Sequence, residues 1–502
     1  MGLHLEDYGF PKVSRRRGPA RSGESMTDRE MSLDDLDPKD WVEFRALAHG
    51  ALDNMIDHLA TLRSRPVWRQ PSDEARRQFR AEFPKIGRPL AESLELFEQF
   101  IKPYATGNAH PAFMGWVHGA GTPVGMVAEM LAAGLNANCG GRDHIGIDVE
   151  RQIARWMSEA FAFPEAAAGL FVTGTSMANF LGLLVARNRS RGDDVRQTGL
   201  VGGPQLVAYA SDAAHGCVSQ AMQLAGLGSD ALRLIPCNDE GAMRLDSLKT
   251  QVQCDREMGF LPFLLVGTAG SVDIGAIDPL NDLADVCVAE NLWFHVDGAF
   301  GALLAFSSEL RSRIQGIERA DSIAFDFHKW AHVPYDAGFL LVRDGAALRR
   351  TFASENRYLA RAQTGLAAGE TWPCDLGPDL SRGFRALKTW FTLRTFGADG
   401  LARAIERNCE LARHLAARIR QSAEFELRAP VGLNIVCFSV RGSNADARNR
   451  AIVEGLHASG RAAPSITILS GVAVIRCAFV NHRTTIADVE QFLLNLEAIA
   501  AD

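Results

Sequence analysis

The stretch between Gly169 and Val342 constrains the fold more than any other part of the chain. Six short apolar runs recur in it: GLFVTG, QLVAYAS, FLLVGT, NLWFHVD, SIAFDF and GFLLVR. Helical stretches such as SMANFLGLLVARNR separate them. Apolar runs that alternate with helices are typical of a largely parallel sheet covered on both faces. The sequence therefore predicts an α/β domain.

The regions on either side of this stretch have a different pattern of apolar residues. From about residue 32 to 100, apolar residues recur at steps of three and four, which predicts helices. A long amphipathic helix, Leu401 to about Gln421, precedes the strand-like LNIVCFSV and VAVIRCAFV and a final helix. The first thirty residues offer too little apolar surface to offset the entropy of ordering. We predict a flexible tail at 1–30, a helical segment at 31–100, a large α/β domain at 101–395 and a small α+β domain at 396–502.

Composition limits the classes of partner. The chain has 502 residues, a formal charge of -7 and a pI near 6.0, which gives no general attraction to nucleic acid or to an anionic membrane. No stretch approaches the roughly 18 uninterrupted apolar residues of a membrane helix. The nine cysteines are scattered and form no C-x-x-C pair, so neither a disulfide framework nor a zinc or other metal site is predicted. A cytoplasmic location is expected.

The residues that follow the predicted strands are the candidates for a site, because ligands bind outside the carboxyl ends of such strands. GLFVTG ends a strand, and Gly174, Thr175 and Ser176 then open a helix. Free N–H groups and hydroxyls at a helix start suit a phosphate, although a plain helix cap uses the same residues. Asp297 ends NLWFHVD, where it is either a turn residue or the counter-ion of a cationic ring nitrogen.

Three further strand ends carry polar groups. His215 follows LVAYAS and is either a structural hydrogen-bonding group or a flat ring stacked on another ring. Thr268 ends FLLVGT within a glycine-rich turn. Lys329 follows SIAFDF; alone it is typical of a snorkelling side chain, but a buried amine forms a Schiff base with an aldehyde. A phosphate cradle followed by His, Asp and Lys is the set that pyridoxal phosphate (PLP) needs.

Several segments resemble, in order and spacing, the group II PLP-dependent decarboxylases, the family of aromatic-L-amino-acid, histidine and glutamate decarboxylases. They are HVDGAFGA, DFHKW, SDAAH, GTSMAN, HPAFMGW and RGFRALKTWFTLRTFGADGL. The resemblance runs from about residue 35 to the C-terminus. It implies the PLP-dependent transferase fold type I (aspartate-aminotransferase-like), with a mixed, mostly parallel seven-stranded sheet flanked by helices. It also implies a homodimer with shared active sites, in which residues 31–100 pack on the partner.

The resemblance also assigns roles. It implies that pyridoxal 5'-phosphate is the cofactor, that Lys329 is its Schiff-base lysine, and that Asp297 pairs with the pyridine nitrogen while His215 stacks on the ring. The predicted cofactor-binding set further includes Thr175, Ser176, Thr268, Ala299, Asp326 and His328. The predicted substrate-binding residues are Trp116, His118, Asn136, Asn138 and Arg476.

The chain departs from the family pattern at a catalytic loop. The aromatic decarboxylases carry a loop tyrosine that protonates the substrate carbon after CO2 leaves. The matching stretch here, AAGETWPCDLGPDL, has no tyrosine and places Trp372 and Pro373 at that point. Either another group, such as His215, delivers the proton, or the carbanion reacts with oxygen and gives an aldehyde.

Two further departures concern the substrate pocket. His118 and Gly119 stand where the aromatic decarboxylases have Pro and Thr, and Asn136 and Asn138 replace bulky apolar residues. A polar wall discriminates against purely apolar side chains, because its own groups would be buried without partners.

The sequence thus predicts a decarboxylase that converts an aromatic or related L-amino acid to its amine and CO2. The alternatives are decarboxylation coupled to oxidative deamination, a decarboxylase of a more polar amino acid, an aminotransferase, and a non-catalytic homologue.

Overall fold

The structure, a computed structural model, describes residues 36–354, 360–369 and 371–501. The chain divides into two compact units, Met1–Met55 and Ile56–Asp502. The described part of the first unit leads into helix α1, Trp41–Ala60, whose first N–H groups donate to the carboxylate of Asp40. The predicted tail at 1–30 lies outside the described residues.

The large domain is built on a seven-stranded sheet with the order β1-β7-β6-β5-β4-β2-β3. Strand β7 is antiparallel to both of its neighbours, and all other adjacent strands are parallel. The predicted mixed, mostly parallel sheet is therefore confirmed. The strands are β1 Ala168–Val172, β2 Leu206–Ser211, β3 Leu232–Ile235, β4 Leu261–Thr268, β5 Trp293–Asp297, β6 Ser322–Asp326 and β7 Gly338–Val342.

Helices cover both faces of this sheet. Successive residues of one strand belong to two separate buried clusters: Phe339 and Leu341 to one, Leu340 and Val342 to the other. This alternation is what a strand buried on both faces requires. The helices before and around the sheet are α2 Asp73–Gln78, α3 Leu90–Leu96, α4 Pro123–Leu135, α5 Ile145–Ala160, α6 Thr175–Arg191, α7 Val195–Thr198, α8 Cys217–Leu224, α9 Leu245–Glu257, α10 Leu280–Glu290 and α11 Gly345–Phe352.

A smaller antiparallel sheet, with the order β10-β11-β9-β8, forms the C-terminal α+β part. Helix α12, Arg385–Gln421, leads into it and is interrupted at Gly397, whose φ of 64° lies in the left-handed region that favours glycine. The proposed domain boundary at residue 395/396 falls beside this interruption. The remaining elements are β8 Phe425–Leu427, β9 Ile435–Val440, α13 Ala445–Ala458, β10 Ser465–Leu469, β11 Val472–Ala478 and α14 Ile486–Ala501.

The sequence patterns missed three strands, β3, β8 and β10. Each lies at the edge of its sheet and is only partly buried. Edge strands need no continuous apolar run, so periodicity does not reveal them. Within the described residues, no helix is both long and apolar enough to cross a membrane.

Candidate active site

A cavity of about 430 Å³ opens at the carboxyl ends of the central parallel strands. Thr268 ends β4, Asp297 ends β5 and Asp326 ends β6, and Thr268 pairs directly with Asp297 in the sheet register. Parallel neighbours present their carboxyl ends at one edge, so these side chains converge. The predicted site residues that line the cavity are Trp116, His118, Thr175, Ser176, His215, Thr268, Asp297, Ala299, Asp326, His328 and Lys329.

Lys329 is held inside the cavity by an acidic partner. Its side chain is 22% exposed, and its Nζ lies 3.0 Å from Oδ2 of Asp326. Burial opposes the charge of this amine, but the charge and hydrogen bond of Asp326 outweigh it and raise the pKa of Lys329. The other oxygen of Asp326 accepts the N–H of Thr175 over 2.7 Å. Asp326 thus connects the amine to the start of α6.

His328 has its ring orientation and protonation fixed. Its Nδ1 accepts the N–H of Ala337 over 3.0 Å, and its Nε2 lies 3.5 Å from Oδ2 of Asp326. Burial lowers the pKa of His328 more than Asp326 raises it. The imidazole is therefore neutral at neutral pH, with its proton on Nε2.

Asp297 ends a buried hydrogen-bonded chain. Its Oδ2 accepts from Nδ2 of Asn179 over 2.8 Å, and Oδ1 of Asn179 lies 2.8 Å from Nε2 of His295. The Nδ1 of His295 lies 2.7 Å from the hydroxyl of Ser322, which also accepts from the indole of Trp293 over 2.7 Å. Burial lowers the pKa of His295 to about 3. A neutral His295 therefore accepts from Ser322 and donates to Asn179.

The protonation of Asp297 reflects opposing influences. Burial raises the pKa of this carboxyl, and it outweighs the hydrogen bond from Asn179 and the charge of Lys329, which lower the pKa. The N–H of Ala299 also donates to Oδ1 of Asp297 over 3.1 Å. These donors favour the ionised form against the effect of burial, and a cationic group in the cavity would favour it further.

Two buried hydroxyls in the cavity have unused hydrogen-bonding capacity. Oγ1 of Thr175 and Oγ1 of Thr268 form no hydrogen bond within the described part of the chain. Helix α6 begins at Thr175 after Gly174 and has no side-chain cap. A helix start with free hydroxyls fits a phosphate group, and unsatisfied buried polar atoms are typical of sites that bind a ligand. The cavity residues therefore fit PLP.

A family model described as the pyridoxal-dependent decarboxylase conserved domain matches residues 71–441. The chain belongs to the pyridoxal-dependent decarboxylases. It is a PLP-dependent amino-acid decarboxylase, and its fold, family and cofactor agree with the sequence predictions.

Relatives of this decarboxylase span nearly its whole length. It is 33% identical over 474 residues to an aromatic-L-amino-acid decarboxylase of Bacillus atrophaeus, covering 92% of this chain and 96% of the relative. It is 28% identical over 462 residues to a phenylacetaldehyde synthase of Arabidopsis thaliana, covering 88% of this chain and 93% of the relative. The crystal structure of Oryza sativa TDC with PLP and tryptamine superposes with a TM-score of 0.86 at 24% identity, covering 93% of this chain and 99% of that one.

Three predicted substrate residues lie outside the cavity. Arg476 is buried behind the wall, where it donates to the backbone oxygens of Trp116 (3.2 Å) and Asp273 (3.0 Å) and to that of Val272. It therefore shapes the wall from behind. Asn136 and Asn138 follow helix α4 on the exposed surface of this chain.

Trp372 and Pro373, which stand at the departure from the family's catalytic loop, lie away from the cavity. Trp372 is 2% exposed and donates its indole N–H to the carbonyl of Ala368 over 2.9 Å. The guanidinium groups of Arg142 and Arg361 lie over its ring at 4.9 and 4.2 Å. Neither Trp372 nor Pro373 lines the cavity.

Sequence reasoning missed Asn179, His295 and Tyr335. Asn179 and His295 lie next to predicted positions, in GTSMAN and HVDGAFGA, but nothing in either motif says that one side chain bonds the other. Tyr335 lines the cavity and stands in AFDFHKWAHVPYD, only six residues after Lys329. This closeness to Lys329 in the sequence is the signal from which a place for Tyr335 in the cavity could have been predicted.

Proposed function

We propose that this decarboxylase converts an aromatic L-amino acid to its amine and CO2, with the cofactor held covalently on Lys329. The observation that carries the proposal is the convergence of Lys329, Asp297, His215 and Thr175 on one cavity. When bound, PLP supplies an electron sink for the charge left on the substrate carbon.

Each residue has a distinct task in this proposal. The hydroxyls of Thr175 and Ser176 bind the phosphate at the start of α6, with Asp326 and His328 beside them. Asp297 would pair with the pyridine nitrogen and favour its protonated form, and Asn179 supports this role by opposing the effect of burial on the carboxyl. Thr268, at the end of the neighbouring strand, has a free hydroxyl that would form a hydrogen bond with the cofactor.

His215 and Ala299 bind the two faces of the cofactor ring. The Nδ1 of His215 accepts the N–H of Cys217 over 3.2 Å, which fixes the orientation of the imidazole. Lys329 would hold the cofactor covalently, and its amine is placed inside the cavity, where it could carry a proton. The other cavity residues would orient the bound substrate, and such orientation favours the loss of CO2.

A second candidate reaction is decarboxylation coupled to oxidative deamination, which gives an aldehyde. The position of Trp372, buried beside two arginines and outside the cavity, supports it, because this side chain brings no proton donor into the cavity of its own chain. One relative of this chain is named phenylacetaldehyde synthase, and the product in that name is an aldehyde.

A single assay separates the two reactions. Purified enzyme loaded with PLP is incubated with tyrosine, phenylalanine, tryptophan and histidine, and CO2, amine and peroxide are quantified. Amine equal to CO2, without peroxide, supports the proposal. Aldehyde with stoichiometric peroxide supports the second candidate, and no CO2 from any L-amino acid contradicts both.

We also propose a homodimer with shared active sites, in which residues 31–100 pack on the partner. Helix α4 exposes Val127, Met130, Leu131 and Leu135, an apolar face of the kind that a subunit interface covers. Asn136 and Asn138 follow the C-terminal end of this helix, and we propose that they line the partner's cavity. Light scattering of the purified protein tests this: a monomer at micromolar concentration contradicts it.

The cytoplasm is the proposed location. All nine cysteines are free thiols, and most are buried. Burial raises the pKa of several, to about 11 for Cys139 and Cys217. Thiols of this kind suit a reducing compartment.

A further inference from the structure

Tyr335 is a cavity residue with a hydroxyl to which no role has yet been assigned. It lines the cavity, its side chain is partly open to solvent, and its ring is fixed by two others. The ring centroid lies 4.3 Å from that of His328 in a tilted arrangement and 6.4 Å from that of His118 in an edge-on arrangement. Its carbonyl accepts a hydrogen bond from Lys388 over 3.1 Å.

Its neighbours form an aromatic wall on one side of the cavity. The ring of His118 lies 5.7 Å from that of Phe113 and 5.6 Å from that of Trp116, and these two are 6.1 Å apart, so the three rings form one cluster. We call Trp116, His118 and Tyr335 the aromatic rim. At one end of the rim, the ring of Tyr335 contacts the ring of His328. His328 lies beside Asp326, the partner of Lys329.

The two polar groups of the rim are uncharged at neutral pH. Burial raises the pKa of Tyr335, although the backbone of Gly119 and the charge of Lys329 lower it. The phenol therefore keeps its proton and can donate it to a hydrogen bond. Burial and Lys329 both lower the pKa of His118, so its imidazole is neutral and offers one donor and one acceptor.

The wall beside Tyr335 has no side chain at Gly119. A Cβ added at Gly119 would lie 1.7 Å from the carbonyl oxygen of His328, so no side chain fits at this position. The backbone of Gly119 lowers the pKa of Tyr335, and the ring of Tyr335 lies edge-on to that of the adjacent His118. The hydroxyl in this part of the wall therefore comes from Tyr335.

We propose that Tyr335 determines substrate specificity by donating a hydrogen bond to a polar substituent on the substrate's aromatic ring, with His118 as its neutral neighbour. This inference rests on the proposed decarboxylase function and deepens it. The preferred substrate carries a hydroxylated ring. An acidic side chain is disfavoured, because Lys329, the lysine or arginine that lines the cavity among the described residues, is committed to the cofactor in the proposed function.

Tyr335→Phe tests the proposal by removing one oxygen atom. Calorimetry on the PLP-loaded protein measures the binding of phenylpropanoate with and without a para hydroxyl, two ligands that lack the amine and do not react. We expect the wild type to prefer the hydroxylated ligand about fivefold, the range of one neutral hydrogen bond, and the variant to show no preference. Tyr104→Phe, which removes a phenol oxygen outside the cavity and next to Ser72, should retain the wild-type preference.

Turnover is measured in parallel as kcat/KM for tyrosine against phenylalanine. If CO2 is released but Tyr335→Phe leaves both ratios unchanged, the specificity role of Tyr335 is wrong and the proposed function stands. If no amino acid releases CO2, the proposed function fails, and the calorimetric ratio alone decides the role of Tyr335. A wild type that binds the unsubstituted ligand equally well also overturns it.

Discussion

Asn179 donates a hydrogen bond to Oδ2 of Asp297 over 2.8 Å, and this contact opposes the effect of burial on the carboxyl group. Asn179 is itself oriented by His295. The pKa of Asp297 therefore depends in part on a residue that does not line the cavity.

Asn179→Ala should weaken cofactor binding. Without its donor, the pKa of Asp297 rises further and the carboxylate pairs less well with a cationic ring nitrogen. A hydrogen bond to a charged group contributes about 1.5–3 kcal/mol, so we expect the dissociation constant of PLP to rise by about tenfold or more. Fluorescence titration of the apoprotein measures it. Asn188→Ala, on the same helix but outside the cavity, is the control, and equal affinity in Asn179→Ala and wild type would refute the role of Asn179.

Asp326→Asn should make the amine of Lys329 more reactive at neutral pH. The charge of Asp326 is what keeps the pKa of Lys329 raised against the effect of burial. The amide retains an oxygen for the N–H of Thr175 but removes the charge, so the pKa of Lys329 falls and more free amine is present.

Pyridoxal, which lacks the phosphate, isolates this effect. Its rate of capture at pH 7 should rise in Asp326→Asn, and the pH at which capture becomes half-maximal should fall. Asp336→Asn, whose carboxylate pairs with Arg385 and does not line the cavity, should behave as wild type. A capture rate unchanged or lowered in Asp326→Asn would contradict the assigned pairing.

Arg382→Met should destabilise the large domain. The guanidinium of Arg382 binds both oxygens of Glu150, at 3.0 and 2.6 Å, and the carbonyl of Phe171 at 2.9 Å. Removing one member of a buried pair leaves the other charge without a partner and costs about 3–5 kcal/mol. Urea unfolding measures the loss. Adding Glu150→Leu should restore part of it, and a double variant less stable than the sum of the single ones would count against this explanation.

Acid should destabilise the fold through two buried histidines. Burial lowers the pKa of His332 well below 6.5 and that of His482 to about 3. The unfolded chain takes up a proton at each near pH 6.5, whereas the folded chain does not until the pH is far lower. Stability is therefore complete above pH 6.5 and is lost as the pH falls, by about 1.4 kcal/mol per pH unit for each histidine.

His482→Leu isolates one of these contributions. The difference in unfolding free energy between pH 7.5 and 5.5 should shrink by about 1.4 kcal/mol in this variant. His49→Gln, at an exposed position, should leave the difference unchanged. An unaltered pH dependence in His482→Leu would show that His482 is not a buried neutral group.

Local sequence pattern was enough to predict the central part of the site. Apolar runs and the residues after them located β4, β5 and β6 and hence Thr268, Asp297 and Lys329, whereas Asp326 was predicted only through the family resemblance. The contacts that the sequence did not predict depend on long-range packing: Asn179 meets Asp297 across 118 positions of the chain. A sequence motif also does not say in which direction a long side chain points. The resemblance therefore placed Arg476 at the substrate, whereas its guanidinium binds backbone oxygens behind the cavity wall.

Reduction of the loaded protein with borohydride tests the central claim, that PLP is anchored on Lys329. Wild-type apoprotein is incubated with PLP, reduced and digested, and the modified peptide is identified by mass spectrometry. We predict one adduct, on the peptide that carries Lys329, and its absence from Lys329→Ala. An adduct on another lysine, such as the buried Lys388, or an equal adduct in Lys329→Ala, would contradict the assignment.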